Sequence, residues 1–240
     1  LRLRAGTDFE VINPNFDNRY RDYWQTYLRM TERKGVTQQL AKIEMRRRLT
    51  LIGSMLLHKG EVDGMLCGTW GTTATHLQYI DQVIGKRAGV KNYACMNGLI
   101  LPGRQVMLVD THVNYDPTAE QLAEITIMAA EEMMRFGLRP KAALLSHSNF
   151  GSSNSESARK MREALAILRE IAPDLEVDGE MHGDSALNEA IRREANPDSP
   201  LKGEANLLVF PNLDSANITL TALRAMMDAL HVGPILLGTD

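Results

Sequence analysis

Seven short apolar runs, separated by stretches with helical spacing, constrain this chain more than any other feature. Residues 63–67, 93–101, 105–109, 142–146, 176–181, 207–210 and 234–237 are brief, rich in aliphatic side chains and bounded by turn formers, and they read as strands. Between them, 118–136, 155–171, 184–193 and 215–230 carry apolar residues at helical intervals. Strands that alternate with helices of this length predict an α/β fold with a mainly parallel sheet. Upstream, Tyr20, Tyr23, Trp24, Tyr27 and Leu28 recur on one face over 17–30, so that segment reads as an amphipathic helix ended by Gly35. Further helices are expected over 37–49, capped by Thr37, and over 51–58, ending at Gly60. No repeat or flexible linker divides the chain, so the domain boundary is placed at the turn spanning 84–89. This gives a first α/β subdomain over 1–85, with 234–240 returning to it, and a second over 86–233.

A chain of 240 residues is long enough to bury a core unaided, and 44% hydrophobic with 24% charged residues excludes a disordered segment. A formal net charge of −3 leaves no broad positive field, which argues against nucleic acid and anionic membranes as partners. The local run Arg46, Arg47, Arg48, with Lys42 nearby, reads as the solvated turn of a surface helix. Cys67 and Cys95 lie in apolar contexts without a disulfide framework, and they read as reduced, buried thiols of a cytoplasmic protein. No apolar run approaches the roughly 18 residues of a spanning helix. Leu1 is not an initiator Met and the last residues, GPILLGTD, resemble a strand that has just ended, so both ends read as cut from something longer.

In open α/β sheets, ligands bind beyond the carboxyl ends of the strands, where helices begin. Four polar clusters are expected there: GTWGTT at 68–73, DTHVN at 110–114, SHSNFGSS at 146–153 and FPNLDSANIT at 210–219. A strand that leads into Ser146 and Ser148, turns at Gly151 and opens a helix near Ser155 offers hydroxyls and free backbone N–H groups to an anion. Plain capping by Ser155 with solvated serines before it fits the same residues. GTWGTT follows the same logic, or forms only a tight turn. Neither a Walker pattern nor a G-x-G-x-x-G unit is present, which disfavours a nucleotide triphosphatase or a dinucleotide site within the chain. GEMHGD places Glu180, His182 and Asp184 at alternate positions, but Gly183 and a capping role for Asp184 argue against a metal. His112, His147 and His231 stand isolated, and the pairs Met133/Met134 and Met226/Met227 fit helix cores.

Taken in order, EVDGMLCGTWGTTATHL, VDTHVNYDPTAEQLAEI, LLSHSNFGSS, VDGEMHGDSAL, LLVFPNLDSANI and VGPIL resemble the phosphate acetyl/butyryltransferase family over nearly the whole chain. That resemblance implies two α/β subdomains with mainly parallel sheets, an intervening cleft for coenzyme A and acyl phosphate, and a homodimer. SHSNFGSS and DGEMHGDSAL are similar, more narrowly, to the C-terminal phosphotransacetylase-like domain of hybrid NADP-dependent malic enzymes. The narrower likeness implies that acetyl-CoA acts as a regulatory ligand and that the malic enzyme module of the same polypeptide is the partner, within a larger homo-oligomer. NADP and a divalent metal would belong to that attached module alone. Ligand contacts are expected at Thr69, Thr72, Thr73, Ser146, Ser148, Asn149, Gly151, Ser152, Asn212 and Asn217. The two asparagines also fit a purely local role in ordering their loop. Transferases of the family carry Thr where Asn149 stands, and often a basic residue where Phe150 stands. Their catalytic Asp-Leu-Ser-Arg-like segment follows the GPIL strand and falls beyond Asp240. No catalytic residue or metal ligand is therefore assigned here, and the domain is expected not to transfer acetyl groups.

Overall fold

The computed structural model describes Arg2–Thr239. It divides after Gly85 into two compact units.

The N-terminal unit is helical among its described residues, with α1 (Tyr20–Thr31), α2 (Gln38–Arg47), α3 (Leu49–His58) and α4 (Thr73–Val83). Thr37 caps α2 by accepting the N–H of Leu40 at 3.2 Å, as its sequence position predicts. Tyr23, Trp24, Tyr27, Met45, Leu51 and Met55 form the centre of its core, so the aromatic stripe of α1 is the buried face. One expectation fails here, and one helix is unforeseen. Residues 63–67 form no strand, because a strand needs a hydrogen-bonded neighbour and none of the described residues pairs with them. Helix α4 was not anticipated, although Thr72 caps it and Tyr79, Ile80 and Val83 are buried along one face.

The second unit, Lys86–Thr239, holds one six-stranded sheet in the order β4-β3-β5-β2-β1-β6. Its strands are β1 (Ala94–Leu101), β2 (Arg104–Val109), β3 (Lys141–Leu145), β4 (Glu176–Met181), β5 (Leu207–Val209) and β6 (Leu230–Leu237). β2, β5, β3 and β4 pair in parallel, while β1 runs antiparallel between β2 and β6. Residues 234–237 are thus part of this sheet and do not return to the first unit; Asp240 lies outside the described residues.

Alternation within the strands builds two cores. Ala142 and Leu144 face α5 (Ala119–Arg135) and α6 (Glu156–Ile171), whereas Ala143 and Leu145 face the opposite helices. Those are α7 (Gly183–Leu187) and α9 (Leu213–Met226), with α8 (Glu189–Ala195) following α7. The single helix expected over 184–193 is two, because Asn188 leaves helical geometry (φ −141°, ψ 112°) and its side chain caps α8. Buried Arg192 pins that corner, donating to the carbonyls of Ser185 at 3.0 Å, Leu201 at 3.1 Å and Gly203 at 2.6 Å. Parallel pairing brings the carboxyl ends of β2, β3, β4 and β5 to one edge of the sheet, where the clusters at 110–114, 146–153 and 210–219 follow them.

Candidate functional site

SHSNFGSS does not wait open for an anion: it is folded around one of the protein's own. The Glu180 carboxylate, buried at the end of β4, accepts from the Ser148 hydroxyl at 2.6 Å, the Gly151 N–H at 3.0 Å and the Arg162 guanidinium at 2.8 Å. Burial alone would raise its pKa. The hydrogen bonds from Ser148, Gly151 and Arg162 outweigh that, holding it below the usual carboxylate range. Gly151 reaches this geometry at φ +90°, a conformation that favours glycine. Gly179 is needed for a different reason: a Cβ there would lie 2.7 Å from the Leu144 carbonyl oxygen, so only glycine lets β4 sit this close to β3.

The other serines are engaged locally. Ser146 Oγ accepts the N–H of Ser148 at 3.0 Å, and exposed Ser152 Oγ accepts that of Asn149 at 2.9 Å. Asn149 Oδ1 accepts the N–H of His182 at 3.1 Å, which ties the loop to the start of α7. Ser155 caps α6 through the N–H of Ala158 at 3.3 Å. Ser146, Ser148, Asn149, Gly151 and Ser152 are therefore brought together as expected, but the best-aligned donors point inward. Glu180, His182 and Asp184 do not share a side: Glu180 is buried in the loop, His182 meets the His147 carbonyl, and Asp184 accepts the N–H of Ser185.

Asn212 and Asn217 each make a local hydrogen bond. Asn212 caps α9 by accepting the N–H of Ser215 at 2.9 Å, and Asn217 donates to the Thr111 carbonyl at 3.2 Å. Beside Asn212, a pocket of about 450 Å³ lies between the starts of α6 and α9, lined by Asp116, Ser155, Glu156, Lys160 and Asp214. Its three carboxylates against one lysine give it a field unsuited to an anion.

The GTWGTT threonines belong to the helical unit. Thr72 caps α4, with the N–H of Thr75 at 3.3 Å, and Thr73 opens that helix. Thr69 sits at φ +73° and lines a pocket of about 520 Å³ together with Arg47, Arg48, Met65, Trp70 and His76. Two arginines, an exposed indole and an aliphatic wall suit a ligand that is both anionic and apolar. His76 Nδ1 lies 2.6 Å from Thr50 Oγ1, while its buried Nε2 has no hydrogen-bond partner. Arg46, Arg47 and Arg48 are all exposed, as expected for a solvated turn, and two of them line this pocket. Cys67, in this pocket, is exposed overall and not buried as expected, but partial desolvation of its thiol by the neighbouring atoms pushes its pKa up, against a smaller opposing effect of a hydrogen bond from Thr50. Cys95 is buried, and Cys67 and Cys95 are not joined in a disulfide.

A mixed, largely parallel sheet covered by helices, with a serine loop at its carboxyl edge, defines a fold of the phosphotransacetylase type. The chain belongs to the phosphate acetyl/butaryl transferase family, whose profile matches residues 1–240. It is 53% identical over 239 residues to the NAD-dependent malic enzyme of Rhizobium meliloti, covering 100% of this chain and 31% of that protein. It is also 53% identical to the NADP-dependent malic enzyme of Haemophilus influenzae, covering 100% of this chain and 32% of that enzyme. The chain thus spans about a third of the malic enzymes it resembles. Among solved structures, a phosphotransacetylase from Streptococcus pyogenes superposes with a TM-score of 0.87 at 32% identity, over 98% of this chain and 72% of that one.

Proposed function

We propose that this chain is the acetyl-CoA-sensing and dimerisation domain of a hybrid NADP-dependent malic enzyme of the cytoplasm, and that it does not itself transfer acetyl groups. The observation that carries the reading is the 53% identity to malic enzymes across the whole chain, against 32% to the S. pyogenes phosphotransacetylase. The serine loop supports it: a site that turns over must stabilise a transition state better than the ground state, whereas the strongest donors here serve Glu180. Asn149 and Phe150 place no cation in the loop for an acyl phosphate.

Affinity asks for less. A coenzyme A ester brings phosphates, a purine and a long flexible arm, and Arg47, Arg48, Trp70 and Thr69 suit the first two. Thr72 and Thr73 are further contacts proposed in the helical unit; in the other, the proposed contacts are Ser146, Ser148, Asn149, Gly151, Ser152, Asn212 and Asn217. NADP and the divalent metal are assigned to the malic enzyme module of the same polypeptide. In the full-length enzyme, acetyl-CoA is expected to change the rate of NADP-dependent malate oxidation, and Arg47→Ala is expected to abolish that response while leaving the basal rate intact. Release of CoA from acetyl-CoA on addition of phosphate, at rates typical of an enzyme, would identify an active acetyltransferase instead.

A further inference from the structure

The segment that carries GTWG is anchored at its two ends. On the α3 side Met65 packs against Gly53, where a Cβ would lie 2.6 Å from its Sδ, and Thr50 hydrogen-bonds the Cys67 thiol. On the other side Thr72 caps α4. Among the described residues, none of 64–71 takes part in a backbone–backbone hydrogen bond. Gly68, Thr69 and Gly71 stand at φ +140°, +73° and +98°, and the left-handed region is strained for a β-branched residue such as Thr69. Trp70, between them, is 83% exposed although it lines the pocket that Arg47 and Arg48 also line. Gly71 lies against His76: a Cβ on the glycine would meet the ring Nε2 at 3.4 Å, and that buried nitrogen has no hydrogen-bond partner. A solvated indole, a left-handed threonine and an unpaired ring nitrogen together mark a resting position that another arrangement can better.

We infer that residues 68–71 are a lid, which closes when Trp70 stacks on the purine of a ligand whose phosphates are held by Arg47 and Arg48. Glycine at 68 and 71 gives the backbone freedom at both ends, and a Cβ at Gly68 would meet nothing within 4 Å. A segment with no backbone hydrogen bonds moves without breaking any. The indole offers a flat face on which a base stacks, and two guanidinium groups suit the phosphates beside it. Recognition is thereby divided: the phosphorylated adenosine of the ligand closes the lid, and its thiol arm does not. The inference rests on the reading that this domain binds a CoA ester, and it names the part of that ligand this pocket takes.

The test is acrylamide quenching of indole fluorescence in the intact protein, taken as the difference between the wild type and Trp70→Phe so that it follows this side chain alone. Trp70 is exposed, so neither this substitution nor Trp70→Ala disturbs the core. Saturating acetyl-CoA and saturating adenosine 3′,5′-bisphosphate are each expected to lower the quenching of Trp70 several-fold and to slow hydrogen exchange of the 68–71 amides, whereas pantetheine changes neither. By calorimetry, Trp70→Ala is expected to weaken acetyl-CoA binding about tenfold, the scale of one lost base stack. Acetyl-CoA that binds with measurable heat yet leaves Trp70 quenching and loop exchange as in the free protein would overturn the lid while sparing the CoA reading. A response to pantetheine equal to that of the bisphosphate would overturn it too. Absence of acetyl-CoA binding heat would overturn both.

Discussion

Ser148 was read in the sequence as a ligand contact, and it turns out to be the centre of an internal ion site. Its hydroxyl donates to buried Glu180 while its oxygen accepts the N–H of Ser153 at 2.9 Å, so one side chain satisfies a carboxylate and shapes the loop. Ser148→Ala leaves Glu180 one donor short, and a hydrogen bond to a charged partner contributes about 1.5–3 kcal/mol. Urea unfolding of the variant should fall by that amount, and Thr at the same position should restore most of it. Glu180 also sets an acid limit. Its pKa is depressed, so the stability it contributes is full above about pH 4.3, the ordinary glutamate value, and lost as pH falls through its lower folded value. Glu180→Gln should flatten that part of the pH–stability curve, measured by denaturant unfolding between pH 3 and 6; an unchanged slope would show that the carboxylate is not held as described. No spacing rule could have found Glu180 or Arg162 as partners of the loop, because the link runs between β4, α6 and the β3–α6 turn and exists only once the strands are paired.

Helices and strands were legible where their own residues decide them. α5 carries a complete capping box, Thr118 with Gln121, and a face of buried Leu122, Ile125, Ala129 and Met133, so the sequence pattern and the fold agree. Thr118→Ala should lower stability by about 1 kcal/mol in thermal or denaturant unfolding, the usual magnitude for a lost cap. The strands β2, β3, β4 and β5 were equally plain, since buried parallel strands read as continuous apolar runs. What failed depended on partners. Residues 63–67 have the composition of a strand but no neighbour among the described residues, and Leu66 and Trp70 project outward at 104% and 83% exposure. α4 was hidden because its buried residues are few and late, behind a polar first turn. β6 begins four residues before Pro234, over a segment whose apolar residues Leu230 and Val232 remain exposed, so burial gave no signal.

At the scale of the whole chain, the likeness to malic enzymes and phosphotransacetylases alike fixes the family, and the particular residues argue for recognition over chemistry. The pocket lined by Arg47 and Arg48 has cations suited to an anionic ester, while the strongest donors of the serine loop are held by Glu180. If acetyl-CoA biases a distant malic enzyme module, thermodynamic linkage requires malate and NADP to change acetyl-CoA affinity by the same factor. The most direct test is a calorimetric titration of acetyl-CoA into the protein in phosphate-free buffer, with CoA for comparison. The account predicts saturable binding that Arg47→Ala and Ser152→Ala each weaken; absence of binding, or binding indifferent to both substitutions, would contradict it.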